Sequence, residues 1–152
     1  MKFTKITKLK LLTAFFIIST FAQGAFAQEA ATMQAKETGT APSRLAVLWT
    51  SGDPDVAHRV AFMYTHNAKK AGWFDEVTLI VWGPSQRILL GDKDLQAKIK
   101  AMQADGILIE ACIACAMSFG IVEELKALGL SVRGMGKPLT DYLKNGWKVL
   151  TF

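Results

Sequence analysis

The sequence predicts an α/β fold: a mainly parallel five-stranded sheet with helices on both of its faces. Short apolar runs bounded by Gly, Pro, Ser or Asp read as strands buried on both sides. Segments with apolar residues at helical spacing separate these runs. Strands that alternate with helices in this way pair in parallel, because each helix carries the chain back to the start of the next strand.

The first strand is predicted at residues 45–49, where a continuous apolar run ends in the turn at 50–54. A helix is predicted at 55–71, ended by Gly72. We expect its buried stripe to comprise the apolar residues at helical spacing, which are Val56, Val60, Met63, Tyr64 and Ala71.

The second strand is predicted at residues 77–82 and ends at Gly83 and Pro84. A short helix at 85–90 follows, and then a longer helix at 92–104 that starts at Asp92 or Lys93. Its inward positions are Leu95, Ile99 and Met102.

The third strand is predicted at residues 106–110, followed by a helix at 114–128 that stops at Gly129. A brief fourth strand covers 131–135. Pro138 is then expected at the first position of a helix, where its missing N–H costs nothing. The fifth strand, at 147–152, closes the chain.

The first 27 residues have the pattern of an export signal. Four lysines at 2, 5, 8 and 10 precede an apolar stretch at 11–21, and Ala25-Phe26-Ala27 offers the small residues that a signal peptidase requires. The apolar stretch is too short to span a bilayer, so we expect no stable membrane anchor. Cleavage near Ala27 would leave a periplasmic or secreted protein.

Residues 28–43 are rich in Ala, Thr, Gln, Lys and Glu and are predicted to form a flexible N-terminal segment before a single domain at 44–152. Four of the 18 basic residues and none of the 13 acidic ones lie in residues 1–27. The cleaved chain therefore carries a net charge of only +1, and this balance predicts no nucleic-acid partner.

Cys112 and Cys115, the only cysteines, lie where the third strand gives way to a helix. Unpaired N–H groups and the helix dipole at a helix start favour a thiolate, so we expect the pKa of these cysteines to be lowered. Their three-residue spacing places both sulfurs on one side of the first turn, close enough for a disulfide.

A C-x-x-C pair also occurs in haem attachment sites, zinc sites, redox pairs and structural pairs. Ala116 stands where haem attachment requires His. Zinc requires two more ligands, and the two histidines, His58 and His66, are eight residues apart on another helix. We therefore expect neither a metal nor another cofactor, and the redox and structural alternatives stay open.

Five further residues are candidates to line the site, because the carboxyl ends of parallel strands share one edge of the sheet. Glu110 would accept a proton or raise the cysteine pKa, unless it is a solvated strand end. His58 would shuttle a proton, unless it is an ordinary helix residue. Asp53 is first a helix cap. We expect Trp49 and Trp82 to be core residues, and the alternative is that they form walls of the pocket.

The segments at 49–53 (WTSGD), 111–120 (ACIACAMSFG) and 137–147 (KPLTDYLKNGW), together with the order of elements, resemble the DsrE/DsrF-like family, which has the YchN-like fold. The resemblance implies a three-layer α/β domain that assembles as a homotrimer or hexamer. It also implies that a cysteine at the turn after the third strand accepts sulfane sulfur as a persulfide. Cys112 occupies that position.

The leading hypothesis is therefore a sulfur-relay or sulfane-sulfur-handling protein, in which Cys112 becomes a persulfide and Cys115 resolves it as a disulfide with release of sulfide. Such a carrier would resemble a sulfurtransferase, and the sequence leaves open whether it turns over catalytically. The sequence identifies neither the sulfur donor nor the sulfur acceptor. One alternative is a periplasmic thiol–disulfide redox partner. Another is a non-catalytic binding module with structural cysteines.

Overall fold

A computed structural model describes residues 41–152 of the chain, so the predicted signal peptide and most of the N-terminal segment lie outside it. Five parallel strands form one sheet in the order β4-β3-β2-β1-β5. These strands are β1 Arg44–Trp49, β2 Glu76–Val81, β3 Leu108–Cys112, β4 Ser131–Arg133 and β5 Lys148–Thr151. The predicted α/β class, strand number and parallel pairing are confirmed.

The helices cover the two faces of the sheet unequally. They are α1 Pro54–Val56, a π-helical turn at Ala57–Ala61, α2 Phe62–Lys70, α3 Ser85–Gly91, α4 Lys93–Ala104, α5 Ile113–Phe119, α6 Val122–Ala127 and α7 Gly136–Lys144. From β1 to β4 the chain steps in one direction, so right-handed crossovers place α1 to α6 on one face. The return to β5 runs the other way and leaves α7 on the opposite face.

The thick face, covered by α1 to α6, holds the larger apolar core. Leu45 and Val47 of β1 point into it, and Phe62, Ile99 and Leu125 of the covering helices pack against them with at most 1% of their surface exposed. Burying a side chain of this size stabilises the fold by about 1.5–3 kcal/mol. This face therefore supplies most of the hydrophobic stabilisation.

The thin face, covered by α7, has a smaller cluster that includes one of the two cysteines. Its fully packed members are Ala46, Ile80, Cys112 and Met135. Partly exposed residues border it, among them Leu139 and Tyr142 of α7 and both Trp82 and Cys115 from the turns at the carboxyl edge: Leu48, Trp82, Cys115, Leu139, Tyr142, Trp147 and Val149. The thin face is thus open to solvent around its border.

The predicted stripe of the first helix is wrong at Val60 and Met63, which are 40% and 56% exposed, although Tyr64 packs against the core as predicted. The buried residues are instead Ala57, Ala61 and Phe62. Small residues face the sheet because they let the helix approach it closely. The π-helical turn adds one residue to a turn and so rotates the downstream face away from a regular 3.6-residue pattern.

The helix predicted at 114–128 is two helices, α5 and α6. Gly120 adopts the left-handed conformation with φ 70° and ends α5, which a residue without Cβ does at no steric cost. The last predicted helix begins at Gly136, two residues before Pro138. Proline is tolerated there because the first N–H groups of a helix have no partner within it.

Asp92 begins α4 as predicted: its carboxylate accepts hydrogen bonds from the backbone N–H groups of Asp94 and Leu95 at 2.9 and 3.0 Å. Leu95, Ile99 and Met102 face the core. Within residues 41–152, no helix is both long and apolar enough to cross a membrane.

Candidate functional site

The two cysteines, here called the cysteine pair, lie at the carboxyl edge of the thin face. Cys112 is the last residue of β3 and also the N-cap of α5, and Cys115 is the third residue of that helix. Cys112 is only 4% exposed, whereas Cys115 is partly exposed. Of the two thiols, Cys115 is therefore the one that meets solvent more freely.

A buried glutamine holds the backbone of Cys112 in place. Gln86, at the start of α3, is fully buried, and its side-chain Nε2 donates to the carbonyl oxygens of Cys112 at 2.9 Å and Val81 at 3.2 Å. These carbonyls end β3 and β2, so one side-chain amide ties the two strand ends together. A buried polar group paired in this way fixes the geometry of the turn that carries the thiol.

A buried serine ties the neighbouring turn in the same manner. The Ser85 hydroxyl donates to the carbonyl of Trp49 at 2.8 Å and accepts from the backbone N–H of Trp82 at 3.1 Å. This bond fixes the end of β2, from which Trp82 and Gly83 project towards Cys115. The carboxyl edge of the central strands is thus rigid where it meets the cysteine pair.

Burial raises the pKa of the Cys115 thiol, and the adjacent Cys112 thiol raises it further. Hydrogen bonds from the Gly83 backbone and the Trp82 side chain act in the opposite direction without outweighing burial. The expected lowering of the cysteine pKa is therefore wrong for Cys115. The desolvation of the thiolate exceeds what the N-terminus of a seven-residue helix supplies.

Glu110 lies on the same sheet face as Cys112, two residues earlier in β3, and is fully buried. Arg133 of β4 donates from Nε to Glu110 Oε1 at 2.7 Å and also contacts the same oxygen through Nη2. The hydroxyl of Tyr142 in α7 donates to Glu110 Oε2 at 2.8 Å. We call Glu110, Arg133 and Tyr142 the carboxylate clamp.

The clamp gives a buried charge the partners that it needs. A lone carboxylate in an apolar cluster would be costly, and here both oxygens accept charge-assisted or hydroxyl hydrogen bonds. Burial and the neighbouring Glu110 raise the pKa of Tyr142, which keeps its hydroxyl protonated as a donor. Glu110 is therefore not the solvated strand end that one interpretation of the sequence proposed.

Two of the other candidate residues, Trp49 and Asp53, have structural roles. Trp49 is fully buried in the core of the thick face, edge-on to Phe62. Asp53 is exposed and accepts from the backbone N–H of Asp55 at 2.8 Å, which makes it the cap of α1. Trp82, by contrast, is partly exposed in the thin-face cluster together with Cys115.

His58 lies on the thick-face side, where its Nε2 is 2.6 Å from Asp92 Oδ2 and its Nδ1 is 3.1 Å from Lys98 Nζ. A cavity of about 260 Å³ separates it from His66, whose Nε2 is 2.6 Å from Asp105 Oδ2. The structure does not bring His58 to the cysteine pair. These contacts instead join the helix after β1 to α4.

Three residues of the site escaped the sequence analysis: Gln86, Arg133 and Tyr142. Arg133 shares one face of a predicted strand with Ser131, and Tyr142 lies one turn beyond Leu139 on the inward side of α7. These spacings place each residue on a face of its own element. Only the register of β3 with β4 shows that Arg133 meets Glu110. Within residues 41–152, no three His, Cys, Asp or Glu side chains converge as a metal site would require.

Comparisons with known proteins agree with this fold. Residues 43–152 match the model of a family described as the DsrE/DsrF-like family. A conserved protein of unknown function from Bacteroides thetaiotaomicron, BT1422, is similar at 40% identity and a TM-score of 0.69, over 72% of this chain and 95% of that one. No curated protein matches the chain.

A more distant similarity concerns the fold alone. MTH1491, a protein of unknown function from Methanobacterium thermoautotrophicum, shares 15% identity and a TM-score of 0.57, over 72% of this chain and 99% of that one. The α/β architecture thus persists at low identity.

Proposed function

The chain belongs to the DsrE/DsrF-like family, and from this premise and the cysteine pair we propose that it handles sulfane sulfur as a carrier. The observation that supports the proposal is the placement of both cysteines in the thin-face cluster, where Cys112 is the N-cap of α5 and Cys115 its third residue. Two cysteines at this spacing on one helix turn are near enough for a disulfide. The family membership supports sulfur transfer as the reaction.

The proposed loading step starts from a persulfide donor. The Cys112 thiolate attacks the outer sulfur of the donor, the donor S–S bond breaks, and the donor leaves as a thiolate. Cys112 then carries the extra sulfur as Sγ–SH. Because Cys112 is 4% exposed, its packing shields this persulfide from other thiols.

The proposed resolving step uses the second thiol. The Cys115 thiolate attacks Sγ of Cys112, the persulfide S–S bond breaks, and hydrosulfide leaves while a Cys112–Cys115 disulfide forms. The two thiols lose two electrons and the sulfane sulfur gains them. A dithiol reductant from the surroundings returns the pair to its reduced form.

Intact-mass measurement after incubation with inorganic polysulfide tests the order of these steps. Cys115→Ser should retain a mass gain of one sulfur atom, and Cys112→Ser should not. The difference in exposure makes this a demanding test, because the more accessible thiol is Cys115. Sulfur retained on Cys112→Ser alone would reverse the two roles.

A thiol–disulfide redox partner is the second candidate, and the same placement of the two cysteines supports it. Here the pair would cycle between dithiol and disulfide without carrying sulfur. Equilibration of the wild type with glutathione buffers, followed by mass measurement, distinguishes the candidates. Reversible loss of two hydrogens with no sulfur gained from polysulfide would favour the redox partner.

We also propose that the chain works outside the cytoplasm, on the basis of the basic, apolar and small-residue pattern in residues 1–27. N-terminal sequencing of protein from the periplasm or the medium should find the chain starting at Gln28. A full-length chain retained in the cytoplasm would contradict this part of the proposal.

Self-association is a further part of the proposal. Leu108 and Leu143, on the thin-face side, are 48% and 59% exposed, which is typical of residues that a partner covers. Light scattering should give the mass of a trimer or hexamer, and Leu143→Glu should lower it. A wild type that is monomeric at high concentration would contradict self-association.

A further inference from the structure

We infer that Arg133 forms an anion-binding subsite beside Cys112, so that the sulfur compound with which the cysteine pair reacts is a small anion and not a neutral molecule. This inference rests on the proposed function, which leaves the class of sulfur donor open. It concerns a residue that the chemistry of the thiols does not itself require. The basis of the inference is the position of the Arg133 guanidinium, the hydrogen bonds that hold it to Glu110, and the N–H groups that these bonds leave free.

The register of the sheet places Arg133 next to the thiol. Cys112 and Arg133 are paired Cα partners on the neighbouring parallel strands β3 and β4. Neighbouring strands lie about 4.8 Å apart, and paired residues project from the same face. From there the Arg133 guanidinium reaches back to Glu110, which lies two residues before Cys112 on the same face of β3.

The carboxylate clamp holds the guanidinium in one orientation. Glu110 is 1% exposed, and its two oxygens are taken by Arg133 and Tyr142. The Arg133 side chain is 49% exposed. The inner end of this guanidinium is held by a buried partner, and its outer end is open to solvent. It is therefore preorganised for a ligand that arrives from solvent.

The guanidinium has N–H groups to spare. Arginine carries five side-chain N–H donors, and the contacts with Glu110 use those on Nε and Nη2. Within residues 41–152 no other group accepts a hydrogen bond from the Arg133 guanidinium. The remaining planar edge has the geometry that binds an oxyanion or a carboxylate with two parallel hydrogen bonds.

The local charges favour an anion at that edge. Glu110 and Arg133 together are neutral, but the carboxylate is sealed inside and the guanidinium faces outwards. On α7, Lys137 is paired with Asp141 at 2.6 Å, so this helix adds no net charge from that pair. An anion at the outer edge is therefore nearer to the positive group than to the negative one.

Alkylation of Cys112 by two reagents tests the subsite. In a Cys115→Ser background, Cys112 is the only thiol, and its rates with anionic iodoacetate and neutral iodoacetamide can be compared. The ratio of the two rates cancels the exposure and ionisation of the thiol. We expect this ratio to fall about three- to fivefold in Glu110→Gln/Arg133→Gln, which is the range of a partly exposed ion pair.

The double change keeps the net charge of the chain and leaves no buried charge without a partner. Its matched control is Asp55→Asn/Arg59→Gln, which removes an exposed i,i+4 ion pair from α1 and the π-helical turn and also keeps the net charge. The control should leave the ratio unchanged. Arg133→Lys, which retains the charge without the planar edge, should lower the rate ratio by a smaller factor. This variant replaces the double variant in the test if the double variant does not fold.

An equal ratio in the Cys115→Ser parent and in both Arg133 variants made in it would overturn the subsite, and so would a Cys112 thiol inert to both reagents. Failure of the proposed function is separable, because these rates are measured without any sulfur donor. A chain that loses the rate ratio in the variants but never gains sulfur from polysulfide would keep the subsite and lose the carrier role.

Discussion

The two faces of the sheet differ in how many helices cover them and in what their side chains can do. The thick face has six short helices and a large, apolar core. The thin face has one helix, a small cluster, both cysteines and the buried carboxylate clamp. The comparison indicates that the chain separates stability from chemistry, since a face with a thin cover can leave thiols and a guanidinium within reach of solvent.

Leu79 and Ile80 are neighbours in β2 that are fully buried on opposite faces, so they test this separation. Leu79→Ala and Ile80→Ala should each lower the free energy of unfolding by about 2–5 kcal/mol, through lost burial and a cavity. Urea unfolding measures this loss. Only Ile80→Ala, whose site lies in the cluster of Cys112, should also change the rate at which the cysteines of the folded protein are alkylated. Equal changes of this rate in the two variants would contradict the separation of stability from chemistry.

Arg133→Ala should have the next largest effect on stability. It leaves the Glu110 carboxylate buried without its cationic partner, although Tyr142 still donates to it. We expect a loss of about 2 kcal/mol in the free energy of unfolding at neutral pH, reduced from the value for a fully buried pair because the guanidinium is half exposed.

Urea unfolding of the wild type and of Arg133→Ala measures this loss. An unchanged free energy of unfolding would contradict the stabilising role of the carboxylate clamp.

Much of the fold follows from local patterns, whereas the site depends on register. Apolar runs predicted all five strands, and Asp92 predicted the start of α4, because burial and capping act within a few residues. The break at Gly120 was missed because nothing in the apolar spacing marks a left-handed residue. Contacts such as that of Gln86 with Cys112 join residues far apart in the sequence, so only the assembled sheet reveals them.

On the thick face, Asp92→Ala should lower stability by about 1 kcal/mol, because it removes the cap of α4 and the partner of His58. Hydrogen bonding from the Leu95 backbone N–H, followed by His58, lowers the pKa of Asp92. This stabilisation is complete above the unfolded pKa of about 3.9 and is lost as the pH falls through the lower folded pKa. Asp92→Asn, which keeps a capping oxygen, should lose only the pH-dependent part.

The smallest expected effect concerns the titration of Cys115. Its alkylation rate in the wild type should rise with a midpoint above the pKa of about 8.5 for a free cysteine, because burial raises the pKa. In Cys112→Ala the midpoint should fall slightly, since the neighbouring thiol is gone. A midpoint well below 8.5 in either protein would contradict the burial of this thiol.

The most direct test of the central claim, that the two thiols of the thin face react as a pair, is the amount of sulfide released after loading with polysulfide and removal of excess reagent. The wild type should release sulfide in an amount equal to that of disulfide formed, whereas Cys115→Ser should retain its sulfur and release none until a thiol is added. Equal spontaneous release from the two proteins, or release without a Cys112–Cys115 disulfide in the wild type, would contradict the claim.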